Sequence, residues 1–213
     1  MKDLLINSTM NNIKRYYNYD EVRLKEIRYG LASLYLHLTK TIVIFSLSYL
    51  FGYLRTLLIL MATYSVLRLT AFGVHAKKSS HCWIASSITF LLLPILCESL
   101  NINLKFKILI SVFCIIFLSI YAPADTEKRP LINKKKRIIF KIVTIISSIT
   151  YLILIVIIKD YILNNCILFG LILGTVAVLP ITYKLFGVKY NNYKNYKKGG
   201  LNKWNYLLVY SAT

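Results

Sequence analysis

A histidine and a cysteine stand seven positions apart in a short polar segment between two apolar stretches. They are His75 and Cys82, in the run Gly-Val-His-Ala-Lys-Lys-Ser-Ser-His-Cys. An imidazole can take the proton of a thiol, and the thiolate can then attack a carbonyl carbon. Lys77 and Lys78 further favour the thiolate. The pair therefore indicates nucleophilic cysteine chemistry, with His81 as a rival base.

The spacing restricts how the two side chains can meet. In an unbroken helix, seven residues advance by about 10.5 Å, whereas proton transfer needs a contact of about 3 Å. The segment must bend back, and Gly73, Ser79 and Ser80 favour a non-helical turn. Adjacent side chains on a helix diverge, so His75 ranks ahead of His81. On spacing alone, such a pair is more often structural than catalytic.

The elements around the pair are apolar and long. The chain has 213 residues, of which 57% are hydrophobic and 16% charged, and its mean hydropathy is +0.58. A soluble domain of this length needs more charge on its surface, and a membrane span needs about 20 mostly apolar residues. The sequence therefore predicts an all-α polytopic membrane protein of one domain. Six apolar blocks are the predicted spans: 31–53, 54–72, 83–100, 106–121 (extending toward 104 and 124), 138–158 and 161–186.

Two polar regions flank the predicted bundle of residues 31–186. In the basic segment 1–30, apolar residues between Asn12 and Tyr29 predict an amphipathic helix on the membrane surface; because their periodicity is imperfect, a disordered basic tail is the alternative. In the tail 187–213, Tyr, Asn and Lys alternate over Asn191–Lys198. Such interleaving can bind nucleic acid, but at a membrane edge we expect it to lie against lipid headgroups.

Basic residues are distributed unevenly across the predicted loops. The net charge is +19. If the N-terminus is inside, 22 of the 27 Lys and Arg residues fall in cytoplasmic segments, and only Arg55, Lys105, Lys107 and Lys159 fall outside. This bias predicts that both termini and the His75–Cys82 segment are cytoplasmic. The charge thus reflects topology in the cell membrane, and no nucleic-acid partner is expected.

The other cysteines carry no predicted chemistry. Cys97, Cys114 and Cys166 lie inside apolar blocks, where a thiol behaves as a small hydrophobic group. No CxxC pair and no metal-ligand spacing is present. We therefore expect neither a disulfide, nor a metal, nor a cofactor.

Several further residues can support the chemistry or bind a substrate. Arg68 can bind substrate carboxylates or reach lipid phosphates, and Ser86 follows Cys82 by one helical turn. Asp125 and Glu127 flank a proline-containing turn and can orient His75, although a structural role in the loop is the alternative, favoured for Glu127. The basic run of Lys134, Lys135, Lys136 and Arg137 can recognise an acidic peptide, anionic lipid or both.

Two motifs resemble those of one known family. Gly73-Val-His75-Ala followed by Cys82, with Arg68 five residues before Gly73, looks like the signature of the accessory gene regulator B (AgrB) family. The stretch Tyr121-Ala-Pro-Ala-Asp125-Thr-Glu-Lys-Arg-Pro130 resembles the motif that follows the fourth span in that family. The motifs occur in the same order within a six-span layout, so the resemblance covers nearly the whole chain.

The resemblance implies a membrane cysteine endopeptidase of Gram-positive quorum sensing. It implies that His75 is the general base, Cys82 the nucleophile, and an AgrD-type precursor peptide the substrate. The enzyme would remove the precursor's C-terminal tail and hold the upstream peptide as a thioester, which an internal Cys or Ser then attacks to close a thiolactone or lactone ring. Membrane lipids are the other expected partner; a homodimer is compatible with the sequence, but nothing requires it.

Two alternatives come from other classes of protein. An exporter of a peptide or another solute would use polar residues within the spans, such as His37, Lys40 and Arg68, and we expect the first two to face the bundle interior. Against it, the chain has no visible internal repeat. A receptor-like protein with an incidental thiol would leave Cys82 unreactive.

Overall fold

The computed structural model describes residues 2–74, 79–126 and 131–193, with the main chain alone at residue 2 and residues 79–82. Within these ranges the protein is mainly helical, and an isolated parallel β-bridge pairs Phe72 with Ala124. The helices are α1 (Lys2–Tyr16), α2 (Glu21–Leu50), α3 (Leu54–Ala71), α4 (Ser79–Ser99), α5 (Leu104–Tyr121), α6 (Lys134–Ile157), α7 (Tyr161–Val178) and α8 (Pro180–Leu185).

Side-chain caps explain where four of these helices begin. Asp20, Asn103, Asn133 and Asp160 precede α2, α5, α6 and α7, and each accepts a hydrogen bond from a main-chain N–H of the following turn. The first N–H groups of a helix have no partner within the helix, so an Asp or Asn at this position stabilises the start.

The apolar helices confirm the predicted fold class. Five helices in the described part of the chain are long and apolar enough to cross a membrane: α2, α3, α5, α6 and α7. The remaining predicted span, 83–100, corresponds to α4, whose apolar run Trp83–Ser99 is shorter. The chain is thus an all-α, multi-pass membrane protein.

The helix α7 lies at the centre of the bundle. It packs against α3, α4, α5 and α6, and it is the most extensively buried of the spans. By contrast, α2 lies at the edge, against α3 and α4, and carries α1 on its outer side. Most of the surface of α2 is exposed, as expected for a helix that faces lipid.

Small residues explain how closely α7 approaches α3. Gly170 and Gly174 lie one turn apart on the face of α7 that meets Thr63 and Leu67 of α3. A Cβ at Gly170 would lie 3.2 Å from the main-chain nitrogen of Tyr64 and would collide with the Thr63 side chain. This Gly-x-x-x-Gly spacing lets helix backbones pack closely in a membrane.

Two predicted segments differ from the structure. Residues 12–29 do not form one helix, because α1 ends at Tyr16 and Asp20 caps a new helix. The last predicted span, 161–186, is broken at Leu179, whose ψ of 137° is extended. The residue before a proline disfavours the helical conformation, so Pro180 ends α7 and starts α8.

One predicted side-chain orientation is also wrong. The sequence predicts that His37 faces the bundle interior, but it is exposed on α2, and Lys40 is only partly buried. The cause is the peripheral position of α2, which offers few interior positions.

Candidate active site

The chain leaves the helical conformation immediately before the segment that contains His75. The helix α3 ends at Ala71, Phe72 has φ 60° and Gly73 has φ 111°. Both values lie in the left-handed region, which costs a non-glycine residue about 1–2 kcal/mol. Gly73 thus provides the predicted break. Ser79 and Ser80 do not, because they form the first residues of α4.

Residues 72–74, which we call the junction, are held by Arg68 in the last turn of α3. Its Nη1 donates to the carbonyl oxygen of Phe72 at 2.6 Å, and its Nη2 donates to the carbonyl oxygen of Val74. The guanidinium also lies 6.0 Å from the centre of the Tyr64 ring. Arg68 is therefore engaged with the main chain that follows its own helix.

The two sequence motifs meet at this junction. Gly73 donates its N–H to the carbonyl of Ala124 at 2.9 Å, and Ala124 donates its N–H to the carbonyl of Ala71 at 3.0 Å. Val74 donates to the carbonyl of Ala177, at the end of α7, at 2.8 Å. The ends of α3, α5 and α7 thus share one end of the bundle and fix the main chain of residues 72–74.

A side chain at position 73 would prevent this arrangement. A Cβ placed on Gly73 would lie 2.7 Å from the carbonyl oxygen of Ala177 and would collide with the Arg68 guanidinium. Glycine is therefore required both by the backbone conformation and by the close approach.

Asp125 follows Ala124 and is fully buried. Its Oδ2 accepts hydrogen bonds from the N–H of Tyr193 at 2.9 Å and from the N–H of Leu131 at 3.2 Å. Burial raises the pKa of this carboxyl above its ordinary value, while the two hydrogen bonds and the nearby Arg137 oppose that rise. Asp125 thus stabilises the loop, and its Oδ1 is buried without a hydrogen-bond partner among the described residues.

A cavity of about 360 Å³ opens beside the junction. Its lining is partly aromatic and aliphatic and partly polar. The lining residues are Ser65, Arg68, Leu69, Phe72, Gly73, Ala124, Thr126 and Phe140. Because Gly73 lies in its wall, the cavity adjoins the main chain that leads to His75.

The predicted catalytic pair itself lies at the edge of the described structure. His75, Lys77, Lys78 and Glu127 lie outside the described residues. The main chain of Cys82 is described, in the first turn of α4, whereas its side chain and that of His81 are not.

The remaining candidates divide into engaged and exposed groups. Ser86 donates its hydroxyl to the carbonyl of Trp83 at 3.3 Å, one turn after Cys82. Lys134, Lys135 and Lys136 are exposed in the first turn of α6. Cations are unfavourable at this positive end of the helix dipole, so helix stability does not explain the run.

The environment of Arg137 differs from that of the three lysines. It is partly buried, and its guanidinium carbon lies 3.5 Å from the centre of the Tyr193 ring. The basic run therefore offers three exposed lysines, whereas Arg137 packs against Tyr193.

Sequence reasoning missed the part that the C-terminal region plays here. Tyr183 of α8 donates its hydroxyl to the carbonyl of Ala124 at 2.8 Å, and Tyr190 donates to that of Tyr121 at 3.2 Å. The described end of the tail packs on the protein, whereas the sequence predicts that it lies against headgroups. The only signal in the sequence is the density of tyrosines, which does not distinguish a membrane interface from a protein contact.

Metal ligation finds no support in the part of the chain that the structure describes. Among the side chains that the structure describes, which do not include those of residues 75–82 and 127–130, no three His, Cys, Asp or Glu are grouped so that they could hold an ion.

Known proteins resemble this chain over most of its length. A family model described as accessory gene regulator B matches residues 6–178. A putative AgrB-like protein of Clostridium acetobutylicum is 29% identical over 187 residues, covering 87% of this chain and 89% of that protein. The accessory gene regulator protein B of Staphylococcus aureus strain Newman is 32% identical over 170 residues, covering 78% and 87%.

A third relative extends the match toward the C-terminus. A putative AgrB-like protein of Listeria welshimeri is 27% identical over 197 residues, covering 92% of this chain and 94% of that protein. No solved structure matches. Since the family match includes both motifs that meet at the cavity, the chain belongs to the accessory gene regulator B family.

Proposed function

We propose that the chain is a cysteine endopeptidase of the cell membrane that processes an AgrD-type precursor in agr quorum sensing. Its family membership supports a role in accessory gene regulation. We add three proposals to that role: the peptidase activity, the substrate and the cytoplasmic position of the site. The observation that supports the proposal is the fixed main chain of residues 72–74, which lies beside a cavity and immediately precedes His75 in the sequence.

The position of Cys82 supports a reactive thiolate. Only residues 75–78 separate the fixed junction from the start of α4, and Cys82 lies in the first turn of that helix. The N-terminal end of a helix carries a partial positive charge and free N–H groups, which favour an anion. The same N–H groups are suited to stabilise the oxyanion of a tetrahedral intermediate.

The proposed reaction proceeds in two acyl transfers. His75 removes the Cys82 proton, and the thiolate attacks the carbonyl carbon that precedes the precursor's C-terminal tail. Collapse of the intermediate breaks the C–N bond, His75 protonates the departing amine, and a thioester remains on Cys82. An internal Cys or Ser of the peptide then attacks this thioester, which releases the Cys82 thiol and closes the ring.

The cavity and the exposed lysines suggest how the precursor is bound. The apolar side of the cavity, formed in part by Leu69, Phe72 and Phe140, is suited to side chains near the scissile bond. Lys134, Lys135 and Lys136 lie at the start of α6, which also contributes Phe140. They would attract an acidic precursor tail, and their charge would also favour anionic lipid.

The described residues give the exporter hypothesis no matching support. His37 is exposed at the edge of the bundle, and Arg68 is engaged with main-chain carbonyls. These side chains do not form the internal polar path that an exporter would need.

The test is precursor cleavage by the purified protein in lipid vesicles. We expect Cys82→Ala and His75→Ala each to abolish release of the C-terminal tail, because nucleophile and base act as one unit. Cys114→Ala is the matched control, since Cys114 is a buried thiol on α5, and it should retain cleavage. Tail release by Cys82→Ala at the wild-type rate would contradict the proposal.

A further inference from the structure

The segment that follows α8 folds back over the loop between α5 and α6. We call residues 188–193 the C-terminal strap. Its first residue, Val188, donates its N–H to the carbonyl of Tyr183 at 2.9 Å, and Asn192 within it is 2% exposed. The family model matches residues 6–178, so the strap lies beyond the residues that this model matches.

Two contacts join the strap to the loop. The Tyr190 hydroxyl donates to the carbonyl of Tyr121 at 3.2 Å, and the main-chain N–H of Tyr193 donates to Oδ2 of Asp125 at 2.9 Å. The Arg137 guanidinium covers the Tyr193 ring at 3.5 Å. The strap is therefore held at both ends, and Asp125 provides the charged contact.

The contacts continue from Asp125 to the junction before His75. Asp125 is bonded to Ala124 in the chain, and Ala124 accepts from Gly73 and donates to Ala71. A loop that moved with the strap would thus carry the acceptor of the Gly73 N–H with it. Displacement by about 1 Å at a catalytic group can reduce a rate about 100-fold.

We propose that Asp125 is a positioning residue, whose carboxylate fastens the C-terminal strap over residues 121–126 and so holds the main chain that leads to His75. The expected effect on the cleavage rate rests on the proposed peptidase function. The contact by which Asp125 holds the strap on the loop does not depend on that function. A buried carboxylate is costly, and its two main-chain donors offset the cost only while the strap and Leu131 are in place.

Two pairs of variants in the full chain separate the Asp125 contact from general packing. Asp125→Ala removes the acceptor, whereas Asp125→Asn keeps an oxygen that can accept from Tyr193 and Leu131. Tyr193→Pro and Tyr193→Ala both remove the ring over Arg137, but only proline also removes the N–H. Each pair therefore differs chiefly in the hydrogen bond to position 125.

The first measurement is hydrogen exchange of peptides that hold residues 188–193 and 121–126, in detergent micelles. We expect faster exchange in both peptides for Asp125→Ala and Tyr193→Pro than for Asp125→Asn and Tyr193→Ala. Equal exchange within each pair would show that Asp125 does not hold the strap on the loop, whatever the protein's activity.

The second measurement is precursor cleavage by the same proteins. Asp125→Ala should lower kcat by roughly tenfold to 100-fold, because the main chain before His75 is no longer held in place. KM should change less, because only Ala124 and Thr126 of the cavity lining lie in the displaced loop. Asp125→Asn should recover most of the rate. Faster exchange with unchanged kcat would overturn the positioning role. If wild-type protein and Cys82→Ala cleave alike, the proposed function fails, and exchange alone decides the fastening.

Discussion

Gly73 occupies a position at which any side chain would collide with the junction that it belongs to. Its φ of 111° is unfavourable for other residues, and a Cβ would lie 2.7 Å from the Ala177 carbonyl oxygen. We expect Gly73→Ala to lower the free energy of unfolding by about 1–3 kcal/mol. Precursor cleavage should fall as well, because the Arg68 and Ala177 contacts that orient residues 72–74 would be displaced.

The control for this substitution is Gly30→Ala in α2. A Cβ added at Gly30 would meet no other part of the protein within 4 Å, and the residue lies in a helix, so alanine should be tolerated or slightly stabilising. Thermal unfolding in detergent and the cleavage rate measure the two effects. Equal behaviour of the two variants would show that the close approach at Gly73 is unimportant.

The buried carboxyl of Asp125 predicts how the stability of the protein depends on pH. Burial raises the pKa of its carboxyl in the folded protein above the ordinary value of 3.8. A carboxyl whose pKa is higher in the folded protein than in the unfolded chain stabilises the fold while it is protonated. This stability is fully present below the pKa of the carboxyl in the unfolded chain, and it is lost as the pH rises through the pKa in the folded protein. We therefore expect wild-type protein to lose stability relative to Asp125→Asn as the pH rises from about 4 toward neutrality.

Unfolding temperatures of the two proteins across this pH range test the prediction. The asparagine variant carries no titrating group at position 125, so the difference between the curves isolates Asp125. A wild-type protein that gained stability over the variant with rising pH would show that the hydrogen bonds and Arg137 outweigh burial.

At the scale of elements, the contact between α3 and α7 depends on two glycines. Gly170→Ala should destabilise the protein by about 1–3 kcal/mol, as overpacking typically does, because the new Cβ would meet the rigid backbone at Tyr64 as well as Thr63. Gly174→Ala should cost less, since its Cβ would meet the side chain of Leu67 at 3.0 Å, which can move.

The ordering of the two glycine variants is the informative result. It can be measured by thermal unfolding in micelles or by resistance to a denaturing detergent. If Gly174→Ala were the more destabilising change, the closest approach of α3 and α7 would lie nearer to the cavity than the structure places it.

For the whole molecule, the uneven distribution of basic residues predicts the orientation. The ends of α3, α5 and α7 hydrogen-bond to one another and so share one end of the bundle. The 22 of 27 Lys and Arg residues assigned to cytoplasmic segments predict that this end faces the cytoplasm. Single cysteines in the junctions at residues 51–53, 100–103 and 158–160 should then react with a membrane-impermeant thiol reagent applied to whole cells.

The matching control is a cysteine in the junction at residues 131–133, in the same cysteine-free background. It should react only after the membrane is permeabilised. The opposite pattern would place both termini outside, and the proposed site would then face away from newly synthesised peptide.

The sequence by itself determined the helical spans, and it predicted the type of chemistry. Long apolar blocks can satisfy their backbone in lipid only as helices, so composition alone predicted α2 to α7 to within a few residues, apart from the later start expected for α2 and the break at Pro180. The His75–Cys82 pair and the motif around Asp125 were likewise visible as residue types and spacings.

Only the tertiary structure decided how these parts meet. Gly73 bonds to Ala124, Val74 to Ala177, and Tyr193 to Asp125, and each pair is far apart in the chain. Local periodicity reports which face of a helix is apolar, but it does not report which loops the packing of α3 against α7 brings together. That packing depends on the close approach at Gly170 and Gly174, and through it the strap, the loop and the junction become one site.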